Sequence, residues 1–182
     1  ARVLPDAAAR HPPKDQTMSQ PASIPSIRHS CPGCHQPGRA VSAVTVESLV
    51  VPERVARLVS TVGFQFCPTP ECAVAYFNPL SGEVVPQREV RVAIFQKGGD
   101  PQRLVCYCFG RTVEAVQREA RETGSSRIMG DIRAKCAQGL DACERTNPQG
   151  SCCLGNVQRL VRETQTRPGP SATGGCCCCE GD

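Results

Sequence analysis

Apolar positions repeat with two different periods in the middle of this chain and with none at its ends. Residues 1–30 mix Pro, Ala, Ser and basic side chains without periodicity and read as a disordered segment. Val41, Val44 and Val46 predict a strand, and Val55, Leu58 and Val59 predict a short helix after Pro52. Phe64 and Phe66, then Ala73 to Phe77, then Val90, Val92 and Ile94 predict three more strands. Gly98-Gly99-Asp100-Pro101 is a turn or short linker. Beyond it the period becomes helical. Thr112 is the expected N-cap of a helix with Glu114 in its first turn, Val113, Val116 and Ala120 on one face, and Gly124 as its C′ residue. Ser125 or Ser126 caps a second helix, with Ile128, Ile132 and Cys136 in a stripe that stops near Gly139, and a third helix carries Leu154, Val157 and Val161. The stretch 164–182 holds Pro168, Gly169, Pro170, Gly174 and Gly175 and reads as a flexible tail. The expected class is α+β, with a small β-rich module over 31–97, a three-helix module over 103–163, and flexible termini.

Composition changes this picture in one respect. The 182 residues include 14 cysteines but only 5 phenylalanines, 2 tyrosines and no tryptophan. A core so poor in aromatics is commonly held by metals, which couples ligand binding to folding. Disulfides are the competing use of so many cysteines. The formal net charge of +4 is spread along the chain, and 103–163 holds ten basic and seven acidic residues. Such dispersed charge, with little aromatic interleaving, does not point to nucleic acid. No segment reaches the about eighteen apolar residues of a membrane span, and the N-terminal stretch lacks the apolar run of a signal peptide. Met18 is a candidate start, with the residues before it an in-frame extension.

The cysteines form two unlike patterns. Cys31 and Cys34 make a C-x2-C knuckle, thirty-two residues precede the C-x4-C pair Cys67 and Cys72, and Pro and Gly within the knuckles shape tight turns. Four thiolates so spaced match a closed tetrahedral zinc site that organises a fold and leaves no coordination position for catalysis. His35 adjoins Cys34 and could replace a thiolate, although a loop histidine is the plainer reading; His11 and His29 read as bystanders. The second pattern opens with the C-x-C pair Cys106 and Cys108, and thirty-four residues separate it from Cys143, which precedes Cys152 and Cys153 by nine and ten positions. C-x-C is too tight for a zinc knuckle but suits an iron–sulfur cluster, and each cysteine loop is expected beside a helix N-terminus, whose dipole favours an anionic centre. Cys136 continues the Ile128 and Ile132 stripe and reads as a small core hydrophobe.

These residues carry a resemblance. Cys106-x-Cys108 followed by Cys143 resembles the bacterioferritin-associated-ferredoxin-like 2Fe–2S module. Cys-Tyr-Cys-Phe-Gly at 106–110 and Cys-Glu-x-x-Asn-Pro-x-Gly-x-Cys-Cys-Leu-Gly at 143–155 resemble, more specifically, the amino-terminal domain of the CopZ-type copper chaperones, over roughly Ser30 to Arg162. The resemblance implies one zinc and one 2Fe–2S cluster, the latter held by Cys106, Cys108, Cys143 and a fourth thiolate. An apolar helix residue usually follows the last ligand by four positions; Val157 so follows Cys153 and Asn156 follows Cys152, which favours Cys153 with Cys152 as the alternative. It further implies one-electron transfer that reduces Cu(II) to Cu(I), with Tyr107 and Phe109 shielding the cluster. The implied partners are a redox protein and either a copper-transporting ATPase or a separate copper-binding chaperone, in a reducing cytoplasm. The chaperones' copper-binding ferredoxin-like domain does not fit within the nineteen residues of 164–182. That tail ends in Cys176, Cys177, Cys178 and Cys179, whose flexible thiolates could hold Cu(I), against the plainer reading of an unstructured end.

Three other functions fit the same cysteines: a ferredoxin-like electron carrier for a non-copper partner, a scaffold that donates clusters, and a zinc-ribbon DNA-binding regulator, which the dispersed charge disfavours. No enzyme is expected, because all three histidines lie at or before His35 and no carboxylate pair, nucleotide loop or open metal site is evident.

Overall fold

A computed structural model describes residues 30–166. His11, His29, Met18 and the thiols Cys176 to Cys179 lie outside the described residues, as do the expectations for the two ends.

The first module is built on a four-stranded antiparallel sheet in the order β1 (Arg39–Ala40), β2 (Gln65–Phe66), β3 (Val74–Phe77), β4 (Val84–Pro86). Phe66 lies opposite Tyr76, their rings tilted at 57° with centroids 5.9 Å apart, an edge-biased aromatic contact that adds to area burial. Two expectations give way here. The valines at 44 and 46 lie in a helix, α1 (Ala43–Leu49), not a strand; Ser42 caps it by accepting from the Thr45 amide at 3.4 Å. Thr45, Val46, Leu49 and Val50 are buried, so a cap and a helical stripe override the strand preference of β-branched residues. Val90 to Ile94 makes no strand either. Pro86 ends β4, and the chain turns through 3₁₀ segments at Gln87–Glu89 and Phe95–Lys97, tied to the end of α1 by Val51 N–H to Glu89 O at 2.9 Å and Arg91 N–H to Leu49 O at 2.8 Å. The short helix after Pro52 is present as α2 (Pro52–Val55).

The second module opens with a hairpin that the apolar pattern is too short to announce, β5 (Leu104–Cys106) against β6 (Arg111–Thr112). The chain reverses through Tyr107 to Gly110, where Gly110 takes the left-handed φ of 62° that a residue with Cβ adopts only at a cost. The long helices follow the expected caps. Thr112 starts α3 (Val113–Thr123) by accepting from Ala115 N–H at 3.1 Å, Gly124 ends it, and Ser126, not Ser125, starts α4 (Arg127–Ala137). A single turn, α5 (Cys143–Thr146), precedes α6 (Leu154–Thr166). Val113, Val116, Ala120, Ile132, Val157, Leu160 and Val161 close the core between the helices.

The modules are packed together. The fully buried Tyr76 hydroxyl donates to Pro148 O at 2.8 Å, and Tyr107 Oη accepts from Phe95 N–H at 2.9 Å while donating to Ala93 O at 2.7 Å. Gly150, at φ 67°, lies so close to α1 that a Cβ there would sit 2.9 Å from Thr45 Oγ1. No described helix is long and apolar enough to cross a membrane.

Candidate metal centres

The two knuckles of the first module meet. Cys31 Sγ lies 3.7 Å from Cys72 Sγ and Cys34 Sγ lies 3.6 Å from Cys67 Sγ, and all four sulfurs fall within 4.8 Å of one another. Zinc–sulfur bonds of about 2.3 Å in a tetrahedron put sulfurs about 3.8 Å apart, so the donor set and its spacing fit a zinc ion. The first knuckle aims the amides of Gly33 and Cys34 at Cys31 and that of Gln36 at Cys34, and the Val74 amide serves Cys72. Burial pushes the Cys31 thiol up to about 12 despite those amides. At Cys34 burial acts the same way, but the Thr69 hydroxyl, 3.3 Å from the sulfur, and the Gln36 amide outweigh it and hold the thiol at about 6. His35 is exposed, takes a left-handed φ of 59° to close the knuckle, and is not among the four donors.

Side chains distant in sequence brace this site. Lys97 Nζ donates to Thr69 O at 2.8 Å and Cys72 O at 2.9 Å, and Gln87 Nε2 donates to Cys72 O at 2.7 Å. Lys97 sits at the module boundary, where the sequence gives a turn and no hint of this role.

The second module gathers its thiols differently. Cys108 Sγ lies 3.6 Å from Cys143 Sγ, and the Cys106 thiol pairs with that of Cys153, the latter two 1% and 2% exposed. Cys108 and Cys143 are half-buried. Among the described residues these four do not close into one set within 4.8 Å, unlike the knuckle sulfurs. One pair at single-metal spacing, Cys108 with Cys143, and a second pair of interacting thiols, Cys106 with Cys153, not closed into one four-sulfur set, fit a centre with two irons better than one metal. An orphan donor agrees with a group lying there: Arg111 Nε is buried with no hydrogen-bond partner among the described residues, and its guanidinium acts on Cys106. The Cys153 thiol, then the Phe109 and Cys108 amides and Arg111, hold Cys106 at about 7, against the effect of burial. Cys153 is pushed up by its partner Cys106 and by burial, and Cys143 is pushed up by burial and by Cys108.

Cys108 Sγ also accepts from Ala142 N–H at 3.4 Å and lies 3.1 Å from Thr146 Oγ1. Cys143 opens the one-turn α5 and Cys153 directly precedes α6, whereas β6 separates the Cys106–Cys108 turn from α3. Gln149 braces the second cysteine loop. It is 5% exposed, accepts from Gln96 Nε2 at 2.8 Å and Asn156 Nδ2 at 2.9 Å, and donates to Ser151 O and Cys152 O. Its place inside the Asn-Pro-x-Gly run at 147–150 was the available signal. Cys152 is exposed, and Cys136 packs against the module's core but remains half-buried. All ten cysteines of the described residues are free thiols, which sets the disulfide alternative aside for them.

Residues 28–91 match the CopZ family described as a zinc binding domain. The copper chaperone CopZ of Archaeoglobus fulgidus is 29% identical over 133 residues, covering 71% of this chain and 60% of that protein. The chain thus spans 60% of the length of the curated relative it matches. The X-ray structure of the Archaeoglobus fulgidus CopZ N-terminal domain superposes with a TM-score of 0.60 at 27% identity, over 72% of this chain and 96% of that one. These likenesses support a CopZ-type domain with a zinc-binding portion.

Proposed function

We propose that this protein is a redox metallochaperone, in which Cys31, Cys34, Cys67 and Cys72 hold a structural zinc and Cys106, Cys108, Cys143 and Cys153 hold a 2Fe–2S cluster. The observation that carries the reading is the division of the second set into two thiol pairs, Cys108 with Cys143 at 3.6 Å and Cys106 with Cys153. The burial of Cys153 and its pairing with Cys106 favour it over Cys152 as the fourth ligand. A cluster bound there supplies one-electron chemistry, which in this reading converts Cu(II) to the Cu(I) that copper-trafficking partners accept. Copper enters through the likeness to the CopZ chaperone, and with it a copper-transporting ATPase or a separate copper-binding chaperone as recipient, in a reducing cytoplasm.

The chain's own groups suit that role. Cys106 and Cys153 lie in the module's core, where Val105, Val113 and Val157 exclude water. Cys108 and Cys143 stand at the half-exposed side and give electrons the shorter path to a partner. The Arg111 guanidinium and the Ala142 amide offset negative charge at the sulfurs, which favours the reduced state. Anaerobically purified protein is expected to contain about two irons and two acid-labile sulfides per chain, with about one zinc. Dithionite-reduced protein should then reduce Cu(II) faster than the Cys143→Ser variant. Zinc without sulfide or visible absorption would end the redox reading.

A further inference from the structure

A cleft of about 430 Å³ lies between the two modules, and no cysteine lines it. Pro68 and Pro70 of the second knuckle line it from one module, and Asn156 and Leu160 of α6 line it from the other. Phe95 and Leu160, 7% and 6% exposed, give it apolar surface. Three arginines reach it from separate parts of the chain: Arg39 opens β1, Arg103 directly precedes β5, and Arg159 lies in α6. Glu163 is the one carboxylate in its lining.

The arginines are held in place to different degrees. Arg103 is fixed by its Nε donating to Phe95 O at 3.1 Å and its Nη1 donating to Asp100 O at 2.7 Å. Its guanidinium also lies over the Phe95 ring, 5.4 Å from the centroid, so a charged planar group is set in one orientation at the apolar surface. Arg159 makes only long contacts, 3.8 Å from Nε to Glu163 Oε1 and 3.5 Å from Nη2 to Asn156 Oδ1. Arg39 is exposed and in no ion pair among the described residues. Three guanidinium groups against one carboxylate leave the cleft positive, with more donors than its own acceptors use.

We infer that this cleft binds a small organic polyanion, a compact molecule bearing two or more carboxylate or phosphate groups. Guanidinium groups match both kinds of oxyanion with paired, charge-assisted hydrogen bonds. The volume falls in the range of small-molecule sites, about 300–1,000 Å³, and such sites favour the seam between two packed units. Phe95 and Leu160 receive the carbon body of the ligand while Arg39, Arg103 and Arg159 take its charged groups. The ligand then touches both the knuckle loop between Cys67 and Cys72 and the helix that follows Cys153, so occupancy braces one module against the other. The inference needs neither copper nor the cluster.

The test uses the full chain with zinc and iron loaded. Trimesate, a tricarboxylate whose groups stand too far apart to chelate one metal, and fructose 1,6-bisphosphate are titrated separately at constant ionic strength. Binding is read by calorimetry, and thermal unfolding is followed with and without each probe. At least one probe should saturate at about one site per chain and raise the unfolding temperature; which one does so distinguishes carboxylate from phosphate ligands. Arg39→Gln and Arg159→Gln, both at exposed positions, should each weaken binding about tenfold. Glu163→Gln removes the competing carboxylate and should tighten it. Failure of both probes to saturate, unchanged affinity in either arginine variant, or no gain in Glu163→Gln would overturn the inference. Zinc, iron and sulfide, measured in every sample, report any failure of the metal-centre reading separately.

Discussion

At the first centre four sulfurs close to within 4.8 Å of one another, three of their residues buried; at the second they stand in two pairs, one buried and one half-open. The surroundings differ in the same sense. The knuckles hang on strands of two to four residues, whereas the second set, carried by a short hairpin, the one-turn α5 and the start of α6, is backed by helices of eleven to thirteen residues and their apolar core. A short-stranded module depends on its metal for its fold, while a capped helical module can hold its shape and leave its thiols free for chemistry. In the proposed function, the division of labour between the two centres is expected to follow this difference in local structure.

The largest expected effect breaks the comparison at its first term. Structural zinc contributes apparent binding free energies of about 10–16 kcal/mol at neutral pH, so Cys67→Ser should lose zinc and with it the cooperative fold of residues 30–97. Zinc analysis and amide NMR dispersion check this. By contrast, Cys143→Ser should lose iron and sulfide yet keep zinc and the first module's amide spectrum. If both variants unfold the same region, the two centres are not independent and the comparison fails.

A more local effect separates neighbours in the second set. Cys153→Ser should abolish the visible spectrum and the iron content, because its sulfur is buried against Cys106, and Cys152→Ser should leave both near wild type. The reverse result would move the fourth thiolate to the exposed position.

The two centres were not equally legible. The knuckle cysteines, which the fold gathers into one set, and the helix ends at Thr112, Ser126 and Gly124 were readable, because ligand spacing and capping are local properties of the chain. The apolar pattern was weaker in the first module. Val41, Val44 and Val46 have strand-forming side chains, but Ser42 supplies a cap and the sheet leaves room for a helix on its face, so tertiary context decided. Val90 to Ile94 alternates like a strand, yet Pro86 ends the neighbouring edge and the segment binds the end of α1 instead. The braces, Lys97 on the knuckle carbonyls and Gln149 on the cysteine loop, join residues some 25 and 53 positions apart; Lys97 leaves no local trace, and Gln149 leaves only its place in the Asn-Pro-x-Gly run.

The joint between the modules sharpens the comparison in a smaller way. Tyr76 Oη is buried and donates to Pro148 O at 2.8 Å, across from the sheet to the second cysteine loop. Tyr76→Phe keeps the ring but leaves that carbonyl unsatisfied, which costs about 1–3 kcal/mol. Thermal unfolding should fall by a few degrees with zinc and iron contents intact; loss of iron instead would show that the first module positions the second module's thiols.

The smallest expected effect tests whether the helical module carries its own order. Thr112 is both the last residue of the hairpin that bears Cys106 and the cap of α3, accepting from Ala115 N–H at 3.1 Å. Thr112→Ala removes one acceptor from the first turn and should cost about 1 kcal/mol, with Thr112→Ser restoring most of it. Because Val113, Val116 and Ala120 stay buried, the loss should appear as faster amide exchange at Ala115 and its neighbours, not as displacement of the hairpin, and iron content should not change. If iron is lost together with that exchange protection, the hairpin takes its position from the helix cap, and the second centre depends on local structure as closely as the first depends on zinc.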